Sequence, residues 1–157
     1  MALFAAGIAY FVVAGISFPV LPRLVEDELG GSKTDIGLAF ATFALGMLLV
    51  RPFAGVLSDR IGRRPLMIGG AIGISVFQLL HVPAADTGEL WVLLLVRAGT
   101  GAFSSLMYLA QATTATELPP EQHRAKVFST FSVAVFVGFA IGPIVGESVL
   151  QAHGFTW

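Results

Sequence analysis

The sequence predicts an all-α, polytopic membrane helical bundle with five transmembrane helices. Two observations predict this class. The 157 residues contain 12% charged and 55% hydrophobic side chains, and the mean hydropathy of +0.83 is too high for a soluble domain of this size. The charged residues also separate five apolar stretches, each long enough to supply the roughly 20 residues that a helix needs to cross a bilayer.

The five stretches are predicted to be helices because the strands of a membrane barrel are only about 10 residues long and alternate in polarity. The first stretch has no basic start and four further spans follow it, so we interpret it as a true first span and not as a secretory signal. The approximate predicted bounds are residues 2–22, 36–57, 65–84, 90–113 and 127–149.

Composition argues against several classes of function. A formal net charge of −1 provides no general attraction for nucleic acid. The chain has no cysteine, which excludes disulfides and thiol catalysis, and its three histidines share no ligand spacing, so no metal site is predicted. Paired carboxylates, a nucleophile beside a base and a phosphate loop are also missing from the sequence. We therefore predict no enzyme activity and no cofactor.

The loop charges predict the orientation, because lysine and arginine collect on the cytoplasmic side of a membrane. Loops one and three hold Arg23 and Lys33. Loops two and four hold five basic residues, namely Arg60, Arg63, Arg64, Arg124 and Lys126. The amino terminus and loops two and four are therefore predicted to be cytoplasmic.

The densest group of charges is the segment GVLSDRIGRR at residues 55–64. The positive-inside rule and a tight turn at Gly62 would explain its arginines. They do not explain Asp59, which is predicted to lie just past the end of the second helix, where the negative end of the helix dipole disfavours a carboxylate. We therefore expect a positive group to face Asp59.

This segment resembles a signature of the major facilitator superfamily, Gly-x-Leu-x-Asp-Arg-x-Gly-Arg-Arg. It matches at Gly55, Leu57, Asp59, Arg60, Gly62, Arg63 and Arg64. A second element of that family, Arg-x-x-x-Gly in span four, matches at Arg97 and Gly101, with Thr100 where glutamine is usual. A third, Gly-x-x-x-Gly-Pro-x-x-Gly in span five, matches at Gly138, Gly142, Pro143 and Gly146, and Glu147 follows where a small residue is frequent.

The resemblance implies twelve spans in two six-helix halves, so residues 1–157 are expected to form part of the amino-terminal transmembrane domain, an incomplete six-helix half. The expected partners are a small-molecule substrate, the lipid bilayer and the missing second half. The resemblance also implies that the loop segment is a conformational latch. In that latch Asp59 faces the start of a helix in the opposite half, and Arg63 reaches acidic groups near Glu117.

Small residues recur along the fifth span at every fourth position, at Ala134, Gly138, Gly142 and Gly146. Because residues spaced by four share one helix face, this ridge permits close approach of another helix. Pro143 removes one backbone donor and is expected to bend the span. Plain packing and a role in gating both remain open for these residues.

A polar stripe runs along the fourth span. Arg97, Gly101, Ser104, Tyr108 and Gln111 fall within about 40° of one line at 100° per residue. A guanidinium inside a span is costly against lipid, so the stripe is expected to face a water-filled cavity for substrate or proton coupling. The alternative is that Arg97 only reaches toward the outer interface. A weaker stripe in the first span contains Tyr10, and the resemblance places both spans at the cavity.

These observations favour transport of a small solute by alternating access, with proton-coupled efflux as the first hypothesis. The expected location is a plasma or bacterial inner membrane. Uptake by a symporter of the same family is an alternative, because Glu147 departs from the antiporter version of the third element. A different class is also open, in which the five spans form a non-transporting membrane partner of other helices.

The predicted orientation can be tested with single cysteines. A cysteine at Ser58 or Ile61 should be protected from an impermeant thiol reagent added outside the cell, because both positions lie in the basic segment 55–64, which is predicted to be cytoplasmic. A cysteine at Gly31, in the first loop, should react. Labelling at Ile61 together with protection at Gly31 would reverse the orientation.

Overall fold

The computed structural model describes residues 2–117 and 119–153, with the side chains of residues 4–117 and 119–152. Within these ranges the regular structure is helical throughout, and five helices are long and apolar enough to cross a membrane. This result confirms the predicted all-α fold class.

Six α-helices make up the described chain. Their bounds are α1 Ala2–Arg23, α2 Lys33–Ile61, α3 Arg63–Leu79, α4 His81–Asp86, α5 Leu90–Glu117 and α6 Glu121–His153. A π-helical turn, Leu24–Glu28, continues α1. The short helix α4 follows α3 after a break at Leu80, and the two together form the third span, Arg63–Asp86.

Helix α2 extends to Ile61, and this corrects the position expected for Asp59. The carboxylate lies in the last turn of α2 and not beyond the end of the helix. The helix stops at Gly62, where a φ of 87° favours glycine, and the Gly62 N–H donates to the Ser58 carbonyl at 3.0 Å. Loss of hydrophobicity after residue 57 therefore marks the edge of the apolar segment and not the end of the helix.

The other end of α2 is fixed by a capping interaction. Asp35 accepts hydrogen bonds from the backbone N–H of Ser32 at 2.7 Å and from the Ser32 hydroxyl at 2.8 Å. A carboxylate in the first helical turn also interacts favourably with the positive end of the helix dipole. The α2 start is thus held by residues that lie outside the apolar stretch.

The chain divides into two compact units, and the first consists of Met1–Leu24 and Ala112–Trp157. In this unit α1 packs along α6, and the residue numbers of the contacts rise together. Gly7 lies beside Ala134, Gly15 beside Gly142, and Pro19 beside Gly146. Helices α1 and α6 are therefore parallel. Phe11 fills the space between these contacts, with ring centroids 6.3 Å from Phe131 and 5.2 Å from Phe139.

The second unit is Val25–Gln111, and it contains two helix crossings that involve glycine. Gly46 of α2 lies directly against the Ala98 backbone of α5, and Gly101 of α5 lies against the Phe43 backbone of α2. On the other side of α5, Gly70 approaches the Met107 backbone. Backbones this close leave no room for a Cβ, which is how helices gain packing contact in lipid.

Replacement of Gly142 by leucine should force α1 and α6 apart, because even a Cβ at this position would lie 2.6 Å from the Gly15 Cα. Overpacking of this kind costs about 1–3 kcal/mol, so the thermal unfolding midpoint of the protein in nanodiscs should fall by several degrees. The matched control is Gly69→Leu in α3, where a Cβ meets nothing within 4 Å. Equal midpoints for the two variants would contradict the observed packing.

Candidate functional site

Arg97 is the most deeply buried charged side chain that the structure describes, with 3% of its surface exposed. Its Nε donates to the Ala39 carbonyl of α2 at 3.2 Å. The guanidinium carbon also lies 4.8 Å from the ring centroid of Phe43 and 5.6 Å from that of Phe40. Two aromatic faces and one carbonyl of α2 therefore hold the cation.

This environment compensates the buried charge only in part. Cation–π contacts contribute about 0.5–2 kcal/mol each, whereas a buried charge without an opposite charge costs considerably more. Within residues 2–117 and 119–153, Arg97 has no ion-pair partner, and the hydrogens on its Nη1 and Nη2 have no hydrogen-bond acceptor. The guanidinium therefore keeps donors, and an unbalanced positive charge, available for an anionic group.

The remaining stripe residues lie farther along α5. Ser104 and Gln111 are buried, with 2% and 0% exposed, and Tyr108 is half-buried. In the described part of the chain the Gln111 amide has no hydrogen-bond partner on either Nε2 or Oε1. Gln111 follows Arg97 by 14 positions, about 21 Å along the helix. The stripe is therefore a polar track along α5, too long for a single pocket around one small group.

Two further residues have different surroundings, namely Thr100 of the second family element and Tyr10 of the predicted cavity. Thr100, which stands where glutamine is usual, is buried and donates its hydroxyl to the Val96 carbonyl in its own helix at 2.8 Å. Tyr10 of α1 is 7% exposed, and its ring lies edge-on to Phe11 with centroids 4.7 Å apart. Tyr10 thus belongs to the packed aromatic group of the first unit.

The loop segment 55–64 spans the turn from α2 to α3. Asp59, Arg60 and Arg64 are exposed, Arg63 is half-buried, and Glu117 at the end of α5 is exposed. Among the residues that the structure describes, no ion pair involves Asp59. Gly55 and Gly62 are half-buried, and Leu57 is 36% exposed.

The small-residue ridge of α6 lies against α1, as the contacts of Gly138, Gly142 and Gly146 show. Pro143 is also part of this contact, because a Cβ on Gly15 would lie 3.2 Å from its Cδ. Next to the ridge, Glu147 forms an ion pair with Arg23, the last residue of α1, at 2.7 Å. The Gln151 amide donates to the same carboxylate oxygen at 2.9 Å.

Sequence reasoning did not identify the partners of Arg97 or Glu147. Ala39, Phe40 and Phe43 precede Arg97 by more than 50 positions, and they look like ordinary apolar residues of span two. Phe40 and Phe43 lie three positions apart beside small residues, and this pair is the only sequence signal that could have suggested a binding site for a cation. For Arg23 and Glu147, the opposite charges at the same predicted membrane surface were the available signal.

The sequence profile described as Major Facilitator Superfamily matches residues 3–157. The quinolone resistance protein NorA of Staphylococcus aureus is 31% identical over 136 residues, which cover 87% of this chain and 34% of NorA. The inner membrane transport protein YajR of Escherichia coli is 33% identical over 148 residues, which cover 89% of this chain and 31% of YajR. The chain thus spans about a third of the length of these relatives.

Proposed function

The chain belongs to the major facilitator superfamily, whose members are multi-pass membrane transporters and not enzymes, and we propose that it forms the amino-terminal part of a transporter that exports a small solute in exchange for protons. The proposed location is a bacterial inner membrane or plasma membrane, with the amino terminus in the cytoplasm. The second half of the proposed transporter supplies the opposite wall of the cavity and the opposite side of the latch.

The observation that carries this proposal is the buried guanidinium of Arg97. It is 3% exposed, held by α2 through one carbonyl and two rings, and without a carboxylate partner in the described residues. In a transport cycle such a cation can hold an anionic group of the substrate. It can also stabilise the ionised form of an acid on the second half, which helps that acid to release its proton.

The relatives support the direction of transport and suggest a probe. NorA is named for quinolone resistance, which is consistent with removal of a solute from the cell. Quinolone antibiotics carry a carboxylate, the group that matches a guanidinium with free Nη donors. The polar track with Ser104 and the unpartnered Gln111 amide would serve the polar atoms of such a solute along α5.

The main test is quinolone flux in proteoliposomes that contain the complete transporter. Arg97→Ala should lower flux about a hundredfold or more, because the substrate carboxylate would then be buried without an opposite charge, which costs about 3–5 kcal/mol. Arg97→Lys should keep partial activity, since it retains the charge and loses the planar fork. The matched control is Arg51→Ala, which removes an exposed arginine from α2 and should leave flux nearly unchanged.

Near-normal flux in folded Arg97→Ala protein would remove Arg97 from the transport cycle. Absence of quinolone flux in the parent protein would exclude this substrate class. A rate that does not respond to an imposed proton gradient would exclude proton coupling.

The latch proposal makes a separate prediction for Asp59. Asp59→Asn should leave expression unchanged and reduce transport, because loss of the carboxylate shifts the balance between two conformations by about 1–3 kcal/mol. Asp86→Asn, at the exposed end of α4, is the control and should transport normally. If Asp59→Asn also transports normally, segment 55–64 serves the orientation of the protein and not its conformational cycle.

A further inference from the structure

Gln111 of α5 is a fully buried amide that makes none of its possible hydrogen bonds. Its side chain is 0% exposed, and neither Nε2 nor Oε1 has a partner among residues 2–117 and 119–153. A primary amide offers two donor hydrogens on its nitrogen and an acceptor on its oxygen. Most buried polar side chains in proteins are hydrogen-bonded, so an amide that is buried with both ends unused needs an explanation. Such exceptions to good packing are expected at functional positions.

The position of Gln111 on α5 directs the amide away from lipid. Gln111 follows Ser104 by seven positions and Arg97 by 14, so the three residues lie within about 40° of one another around the helix. Leu95, which is 62% exposed, precedes Ser104 by nine positions and therefore lies half a turn away, on the opposite side of α5. The amide thus belongs to the protein-facing side of the helix.

Gln111 and Arg97 lie at opposite ends of the polar track. Helix α5 runs Leu90–Glu117, so Ser104 is close to its middle, and the other two residues lie about two turns to either side. About 21 Å along the helix axis separates Gln111 from Arg97, which is too far for one small solute to bind both side chains at once. The track therefore contains two separate polar positions, a cation in the predicted outer half and a neutral amide in the predicted inner half.

We propose that Gln111 is a second solute-binding subsite, which recognises a carboxamide through a pair of hydrogen bonds. Oε1 accepts from the solute N–H and Nε2 donates to the solute carbonyl, so one group satisfies both ends of the side chain. In the present conformation the amide is covered, and the solute reaches it only when the inner end of the track opens during alternating access.

The two subsites differ in charge, and this difference gives them an order. A neutral amide binds a carboxylate less strongly than a guanidinium does, so a solute that carries both groups would gain affinity as it moves outward from Gln111 to Arg97. The inference deepens the proposed function and rests on it, because the order of the subsites has a consequence only in a transport cycle. Carboxamide binding at Gln111 can nevertheless be measured without transport.

Thermal unfolding in nanodiscs tests whether the amide has a structural partner instead. Methionine is unbranched, close in length to glutamine and free of hydrogen-bond donors. Because an apolar side chain of similar shape avoids the cost of burying an unpartnered amide, Gln111→Met should unfold at or above the midpoint of the parent. A midpoint several degrees below the parent would show that the fold needs the amide, and it would overturn the proposal.

The deciding experiment is fluorine NMR of the complete transporter in nanodiscs with two probes, para-fluorobenzamide and para-fluorobenzoate, which differ only in the carboxamide and the carboxylate. Gln111→Met should weaken benzamide binding about tenfold or more, because two hydrogen bonds are lost, and should leave benzoate binding within about threefold. Arg97→Ala should have the opposite effects on the two probes. The matched control is Gln78→Met, which removes a half-buried amide from α3 and should leave both affinities unchanged.

Absence of para-fluorobenzamide binding in the parent, or equal benzamide affinities in the parent and in Gln111→Met, would also overturn the proposal. The two proposals fail in different ways. If benzamide binding requires Gln111 and Arg97→Ala transports normally, the proposed function is wrong and the subsite stands. If Arg97→Ala is inactive and benzamide binding does not depend on Gln111, only the subsite is wrong.

Discussion

The contact between α2 and α5 at Gly46 and Gly101 is the interaction on which the candidate site depends. Lipid offers helices no hydrophobic reason to associate, so they gain stability by packing closely, and glycine permits the closest approach. Gly101 lies against the Phe43 backbone, one turn along α5 from Arg97. The crossing thereby brings the Ala39 carbonyl and the Phe43 ring within reach of the guanidinium. A larger residue at either glycine would separate the cation from the groups that stabilise it.

The same crossing explains how a cation is tolerated in an apolar span. A carbonyl in the middle of a helix has a second lone pair that can accept from a side chain, and an aromatic face attracts a cation without itself being polar. Neither group weakens the apolar character of α2, which remains able to lie in a bilayer. The compensation is incomplete, however, and the residual positive charge of Arg97 favours binding of a carboxylate.

The sequence was sufficient to predict the fold class, because composition and the spacing of charges report directly on the solvent around each helix. It was less informative about helix ends, since Asp59 and Arg60 continue α2 after hydrophobicity is lost, and only the backbone of Gly62 stops it. The sequence identified Arg97 as a candidate cavity residue, but it did not identify the groups of α2 that contact the guanidinium. Ala39 contributes through its backbone, which a side-chain pattern cannot reveal.

The parallel packing of α1 and α6 constrains the path of the chain between them. Their contacts keep a constant offset of 127 positions from Gly7–Ala134 through Gly15–Gly142 to Pro19–Gly146, and Arg23 pairs with Glu147 near the same ends. Two membrane-spanning helices that point in the same direction must be separated by an odd number of crossings. Three long apolar segments lie between them, namely α2, α3 with α4, and α5. If α3 and α4 were two separate crossings, the number would be even and α6 would run antiparallel to α1. The break at Leu80 is therefore a bend within one span.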